Sequence, residues 1–157
     1  MFGDDSAEYL IEYAIDNTSL PVLLYDNPQI HKNESLPIPI IKKYSDNSSI
    51  IGIKDSSGDW DYFKELLEIQ NPNFSVLQGK ESYILKSLLS GADGIVAGAA
   101  NVNPEPFRDI LYSLEEDIMQ EIMELKGELE KLDAKSIPAI KQKLVQMSII
   151  RSAELFR

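Results

Sequence analysis

The chain has 157 residues, 26 acidic and 15 basic side chains, a net charge of −11, one His, one Trp and no Cys. Without cysteine there are no disulfides, thiol nucleophiles or cysteine-based zinc sites, a composition that fits a reducing cytoplasm. With one histidine, a His-rich metal site or a Ser-His-Asp triad has almost nothing to be built from. The acidic balance offers no basic stripe for nucleic acid or an anionic membrane surface. No apolar run approaches the roughly 20 residues of a membrane span, and the N-terminus lacks an export pattern.

In chain order, Ser6 to Ile15 predicts a helix with Tyr9, Leu10, Tyr13 and Ala14 on one face. Leu20 to Tyr25 is an apolar run without polar alternation, expected for a strand buried on both faces. Asp26 to Ser35 is polar, contains Pro28 and predicts a loop, in which His31 reads as a solvated side chain. Leu36 to Tyr44 predicts a helix with Pro37 in its first turn. Ile50 to Lys54 predicts a second buried strand, residues 55–59 a turn, and Asp59 the cap of a helix from Trp60 to about Gln70. Phe74 to Gln78 predicts a third strand, Glu81 to Ser90 a helix ended by Gly91, and Gly94 to Gly98 a fourth strand. Another helix begins at Asn103-Pro104. From Glu115 the chain turns helical, in two amphipathic segments, residues 115–132 and 136–152, separated near Asp133. Asp4-Asp5 and the acidic run 115–117 suit helix N-termini, where negative charge complements the dipole.

Four strand–helix repeats with continuous apolar strands predict a parallel α/β architecture, either a doubly wound sheet or a (β/α)8 barrel. Both place chemistry at the carboxyl ends of strands. Tyr25, Asp26, Lys54, Asp55, Gly79, Lys80, Glu81, Ala99 and Asn101 fall there. Lys54 is the anomaly. A desolvated lysine amine attacks carbonyls to form a Schiff base, whereas an ion pair with Asp55 or another carboxylate would make it structural. Tyr25 either contacts substrate or plugs the sheet end. The Gly79-Lys80-Glu81-Ser82 segment fails as a phosphate loop: Phe74 stands where the first glycine belongs and Glu81 where Ser or Thr is needed. Gly79 marks instead a close backbone approach. No carboxylate cluster at a strand end predicts a metal, and no cofactor motif is present.

Four segments resemble one family in order: residues 20–28 (LPVLLYDNP), 51–59 (IGIKDSSGD), 77–79 (LQG) and 91–101 (GADGIVAGAAN). They are similar to the dihydrodipicolinate synthase / N-acetylneuraminate lyase family, pyruvate-handling class I aldolases on a (β/α)8 barrel with added C-terminal helices. The resemblance implies that Lys54 is the Schiff-base lysine. It also implies that Tyr25 contacts the keto acid carboxylate and relays protons, and that Gly79 and Val96 line the pyruvyl pocket. It implies a 2-keto acid substrate, no cofactor, and a homo-oligomer. Where dihydrodipicolinate synthases carry an arginine two residues after the motif proline, this chain has Ile30. That favours a 2-keto-3-deoxy sugar acid aldolase over condensation of pyruvate with aspartate semialdehyde.

A (β/α)8 barrel takes about 250 residues. The four strands match strands five to eight, so the chain reads as a C-terminal half-barrel over 1–114 followed by a helical region over 115–157. The segment that holds the pyruvate carboxylate in the family, and the tyrosine from a neighbouring subunit, are not in this sequence. The half-barrel alone is therefore expected to turn over little substrate and to pair with another copy or its complementary half. Two rivals carry other expectations: a non-catalytic assembly module with an ion-paired Lys54, and a phosphosugar-binding barrel half.

Overall fold

The computed structural model describes residues 4–30, 34–132 and 136–154. His31, Asp133 and the last three residues lie outside that set. Four strands form one parallel sheet in chain order: β1 (Val22–Asp26), β2 (Ile50–Asp55), β3 (Ser75–Gln78) and β4 (Gly94–Ile95). Helix α1 (Asp4–Asn17) precedes β1. Helices α2 (Ile38–Tyr44), α3 (Trp60–Ile69) and α4 (Ile84–Leu89) follow the first three strands. Helices α5 (Glu105–Ser113), α6 (Glu116–Leu132) and α7 (Ser136–Gln146) follow β4. Among the described residues no helix is long and apolar enough to cross a membrane.

Local chemistry sets the boundaries. Asp59 accepts the backbone N–H groups of Asp61 and Tyr62 at 3.0 and 3.1 Å, the side-chain cap that starts α3. Pro37 caps α2 and Pro39 occupies its first turn, where no N–H is needed, so this helix starts at Ile38 rather than at Leu36. Gly91 adopts φ 98 after α4, as its place at a helix end requires. Asp93 then accepts the Val76 N–H at 2.7 Å and fastens the turn into β4 to β3.

Two apolar clusters hold the layers. Ile11 of α1, Ile40 and Ile41 of α2, and Phe63 and Leu66 of α3 pack on Leu24, Ile53 and Val76 of the sheet. Ile84 and Leu85 of α4 pack with Phe107, Ile110, Ile122 and Ala139 of α5 to α7. The C-terminal helices thus share one core with the last β/α unit.

Several expectations are corrected. The strands are covered on one face only: Leu23, Tyr25, Ile51 and Val96 remain 41–43% exposed on the other. Apolar runs of this kind suit a face closed by further strands, and the described residues supply four. In α1 the Tyr9, Leu10 and Tyr13 side is turned to solvent, while Ala7, Ile11 and Ile15 meet the core. β4 ends at Ile95, because only one further ladder bond forms, from Val96 N–H to the Gln78 carbonyl at 2.9 Å. The chain then turns at Ala99–Asn101, with Ala99 N–H held by Glu81 Oε1 at 2.9 Å. Helix α7 stops at Gln146, not near 152: Ser148 takes a left-handed φ of 59, and Ile149 N–H returns to the Leu144 carbonyl at 2.9 Å.

Phe63 is fully buried at the centre of the first cluster. Phe63→Ala is expected to lower the unfolding free energy by about 3–5 kcal/mol in urea titration. A loss under about 1 kcal/mol would show that this cluster does not anchor the helices to the sheet.

Candidate active site

Parallel pairing sets the site. Tyr25 and Lys54 are register partners on β1 and β2, one residue from each strand's end. Strand alternation turns both to the uncovered face. The Lys54 Nζ lies 4.6 Å from the centre of the Tyr25 ring, a cation–π contact. Lys54 is half-buried and Tyr25 is 41% exposed. The Tyr25 hydroxyl accepts a hydrogen bond from Asn27 Nδ2 at 2.8 Å, which fixes the phenol above the strand end. Asp55 turns to the opposite face, so the ion pair weighed from sequence does not form between these neighbours.

Gly79 completes the corner. Its N–H donates to the Asp55 carbonyl at 2.6 Å, extending the β2–β3 ladder past Gln78. A Cβ here would stand 2.6 Å from Lys54 Cε and 2.8 Å from the Asp55 carbonyl oxygen, and would also strike Ser56 Oγ. Glycine is therefore what leaves room for the lysine side chain. Gly52 plays a related part lower on β2. It has φ 153, and a Cβ would collide with the backbone oxygen and nitrogen of Ser75. The pairing of β1 with β2 shifts register beside it, between Val22 and Leu23. The two glycines bracket Lys54.

Val96 lies farther along the same face. Lys54 pairs with Leu77 and Leu77 with Gly94, and Val96 follows Gly94 by two residues. It is 41% exposed. Ile30 ends a short helical turn, Pro28–Ile30, and is also exposed, so no charge is supplied at that position. Tyr25, Lys54 and Gly79 thus stand together, and Val96 lines the face two strands away. Among the described residues no group of three or more His, Cys, Asp or Glu could hold a metal ion.

Two features escaped the sequence reading. Ser56, read only as a turn residue, has a buried Oγ without a hydrogen-bond partner, directed at Gly79 beside the lysine. Its position two residues after Lys54, past the strand end, was the available signal. Asp26 and Asp55 were placed at the strand ends, but their meeting was not foreseen. They are register partners, each 1% exposed, on the helix-covered face. Burial, with the nearby Asp26 charge, pushes the Asp55 carboxyl up to about 6, against the pull of its hydrogen bonds from Ser57. The Tyr62 phenol is also pushed up, chiefly by burial and then by Asp26 and Asp55. It donates to the Leu36 carbonyl at 2.8 Å.

A 4-hydroxy-tetrahydrodipicolinate synthase of Clostridium acetobutylicum is 27% identical over 110 residues, 70% of this chain and 38% of that protein. The dihydrodipicolinate synthase structure from Bacteroides thetaiotaomicron superposes with a TM-score of 0.86 at 24% identity, covering 99% of this chain and 55% of that one. A 2-keto 3-deoxygluconate aldolase from Picrophilus torridus superposes with a TM-score of 0.80 at 23% identity, covering 94% and 55%. The chain spans little more than half the length of these structures, and its four-stranded sheet is a partial barrel of their fold. The model of the dihydrodipicolinate synthetase family matches residues 5–152, and the chain belongs to that family.

Proposed function

We propose that this chain carries the Schiff-base half of a pyruvate-handling aldolase, with Lys54 as the nucleophile. The observation that carries the reading is the corner itself. A lysine amine lies on a tyrosine ring at the carboxyl ends of two parallel strands, with a glycine clearing the space beside it. The Lys54 amine, when neutral, adds to the ketone carbon of a 2-keto acid, and the carbinolamine loses water to give an imine. The protonated imine withdraws electrons from the neighbouring carbon. A carbon–carbon bond to that carbon can then break or form, with the electron pair held as an enamine. The Tyr25 hydroxyl, carried on the ring that the amine overlies, is assigned the contact to the keto acid carboxylate and the movement of protons. Gly79 and Val96 line the pocket.

In this reading residues 1–114 supply the barrel half and 115–157 a helical region packed against it. The exposed Ile30 leaves the substrate tail without a positive clamp, which supports a 2-keto-3-deoxy sugar acid as substrate. The uncovered face supports pairing with a complementary barrel half or a second copy, which would enclose the lysine and exclude water.

Borohydride reduction in the presence of pyruvate is expected to fix the adduct on the peptide containing Lys54, and Lys54→Arg is expected to abolish it. The chain is treated alone and mixed with the first barrel half of a family relative. Labelling elsewhere but not at Lys54, or none with pyruvate and several larger 2-keto acids, would sink the reading.

Gly79→Ala places a methyl group against Lys54 Cε. It is expected to slow labelling on the order of 100-fold, as displacement of a reacting atom by about 1 Å does. Unchanged labelling in a folded Gly79→Ala variant would remove Gly79 from the site.

A further inference from the structure

Behind the lysine, on the face turned toward the helices, Asp26 and Asp55 meet at the ends of β1 and β2. Each already serves the backbone. Asp26 Oδ1 accepts the Leu36 N–H at 2.7 Å, holding the segment that leads into α2. Asp55 Oδ1 accepts the Ser57 N–H at 2.9 Å, holding the turn that leads into α3. The two side chains stand side by side on adjacent strands, each 1% exposed, and the Asp26 charge adds to the burial that pushes the Asp55 carboxyl up. Two like charges so placed out of water resist ionising together, and a proton on one lets it donate to the other. From α3 the facing titratable groups are Tyr62, a neutral phenol, and the exposed Glu65, a negative charge. From β3, Asp55 is paired with the neutral Gln78, whose amide is engaged with Ser87 and the Lys80 N–H. The Lys80 side chain reaches the Gly58 turn, and Lys54 stands on the other face of the sheet.

We propose that Asp26 and Asp55 hold one proton between them and that this pair positions Tyr25 and Lys54. Each aspartate directly follows one of those two residues, so the backbone that carries the pair carries the site. Loss of the proton leaves two buried carboxylates side by side, and their repulsion acts to separate the strand ends. The direction with pH follows. The folded-state Asp55 carboxyl, at about 6, lies above its ordinary 3.8. Between those values the folded chain binds more protons than the unfolded one, so stability falls as pH rises through that window. The positioning role rests on the imine reading of Lys54, whereas the shared proton stands on the pair's own geometry.

The test is carbon-13 NMR of the full chain labelled at aspartate carboxyls, with the Lys54 ε-methylene protons as a second signal. Those protons report the Tyr25 ring through their upfield shift. The two carboxyls are expected to titrate as a coupled pair, one step well above the ordinary aspartate range. The Lys54 shift is expected to shrink as that step is passed. In Asp26→Asn the amide donates to Asp55 in place of the proton, so the Lys54 shift should persist and lose its pH dependence. In Asp26→Ala the shift should be lost; if that variant does not fold, Asp26→Asn still decides.

Independent titration of both carboxyls near the ordinary value would overturn the shared proton. A wild-type pH dependence retained in Asp26→Asn, or an unchanged Lys54 shift in folded Asp26→Ala, would overturn the positioning role. Pyruvate trapping on the same samples separates the two ideas. A coupled titration without any adduct on Lys54 would end the imine reading and leave the shared proton standing.

Discussion

The parallel register of β1, β2 and β3 is the constraint on which the rest depends. It puts Tyr25 opposite Lys54, and Asp26 opposite Asp55. It also brings Gly79 against Lys54 Cε through one further ladder bond. A slip of β2 by one residue would exchange its two faces, placing Lys54 among the helices and Asp55 in the open. Burying an unpaired charge is costly enough that the apolar outer positions, Leu24, Ile53 and Val76, and the inner lysine specify the same register.

The two faces divide the work. The outer face supplies cohesion through Phe63, Leu66 and the α2 isoleucines, and it also carries polar groups at the strand ends that have been given partners. Gln78 donates to Ser87 at 2.8 Å and accepts from the Lys80 N–H at 2.7 Å. Such satisfied polar groups cost little and tie each strand end to the segment that follows. The inner face carries Lys54 with Tyr25 and Val96, and around those two residues it is apolar without being covered.

Much of this was legible in sequence because the signals are local. Apolar runs of strand length, Asp59 before Trp60, and Gly91 after a helical period each have a mechanism that works over a few residues. The lysine at the mouth of β2 was conspicuous for the same reason. What escaped depends on distant partners. The end of α7 has no glycine to announce it, since Ser148 takes the left-handed turn. Past the short β4, Glu81 holds the Ala99 N–H in the turn that follows, a partner 18 residues away in sequence. The outward turn of Tyr9, Leu10 and Tyr13 reflects which side of α1 meets Ile40 and Tyr44, and periodicity cannot say which face finds a partner. The aspartate pair required knowing that β1 and β2 are adjacent and in phase.

The strand order has a further bearing. It is the same as the chain order, so each strand docks on one that has already emerged and none waits for a later segment. The first cluster draws mainly on residues from α1 to β3, and the second on residues from α4 onward. Loop closure is therefore short at every step, the condition under which parallel sheets form fastest. Within these four strands, Lys54 and Tyr25 come side by side as soon as β2 docks on β1, before β3, β4 or the C-terminal helices are needed.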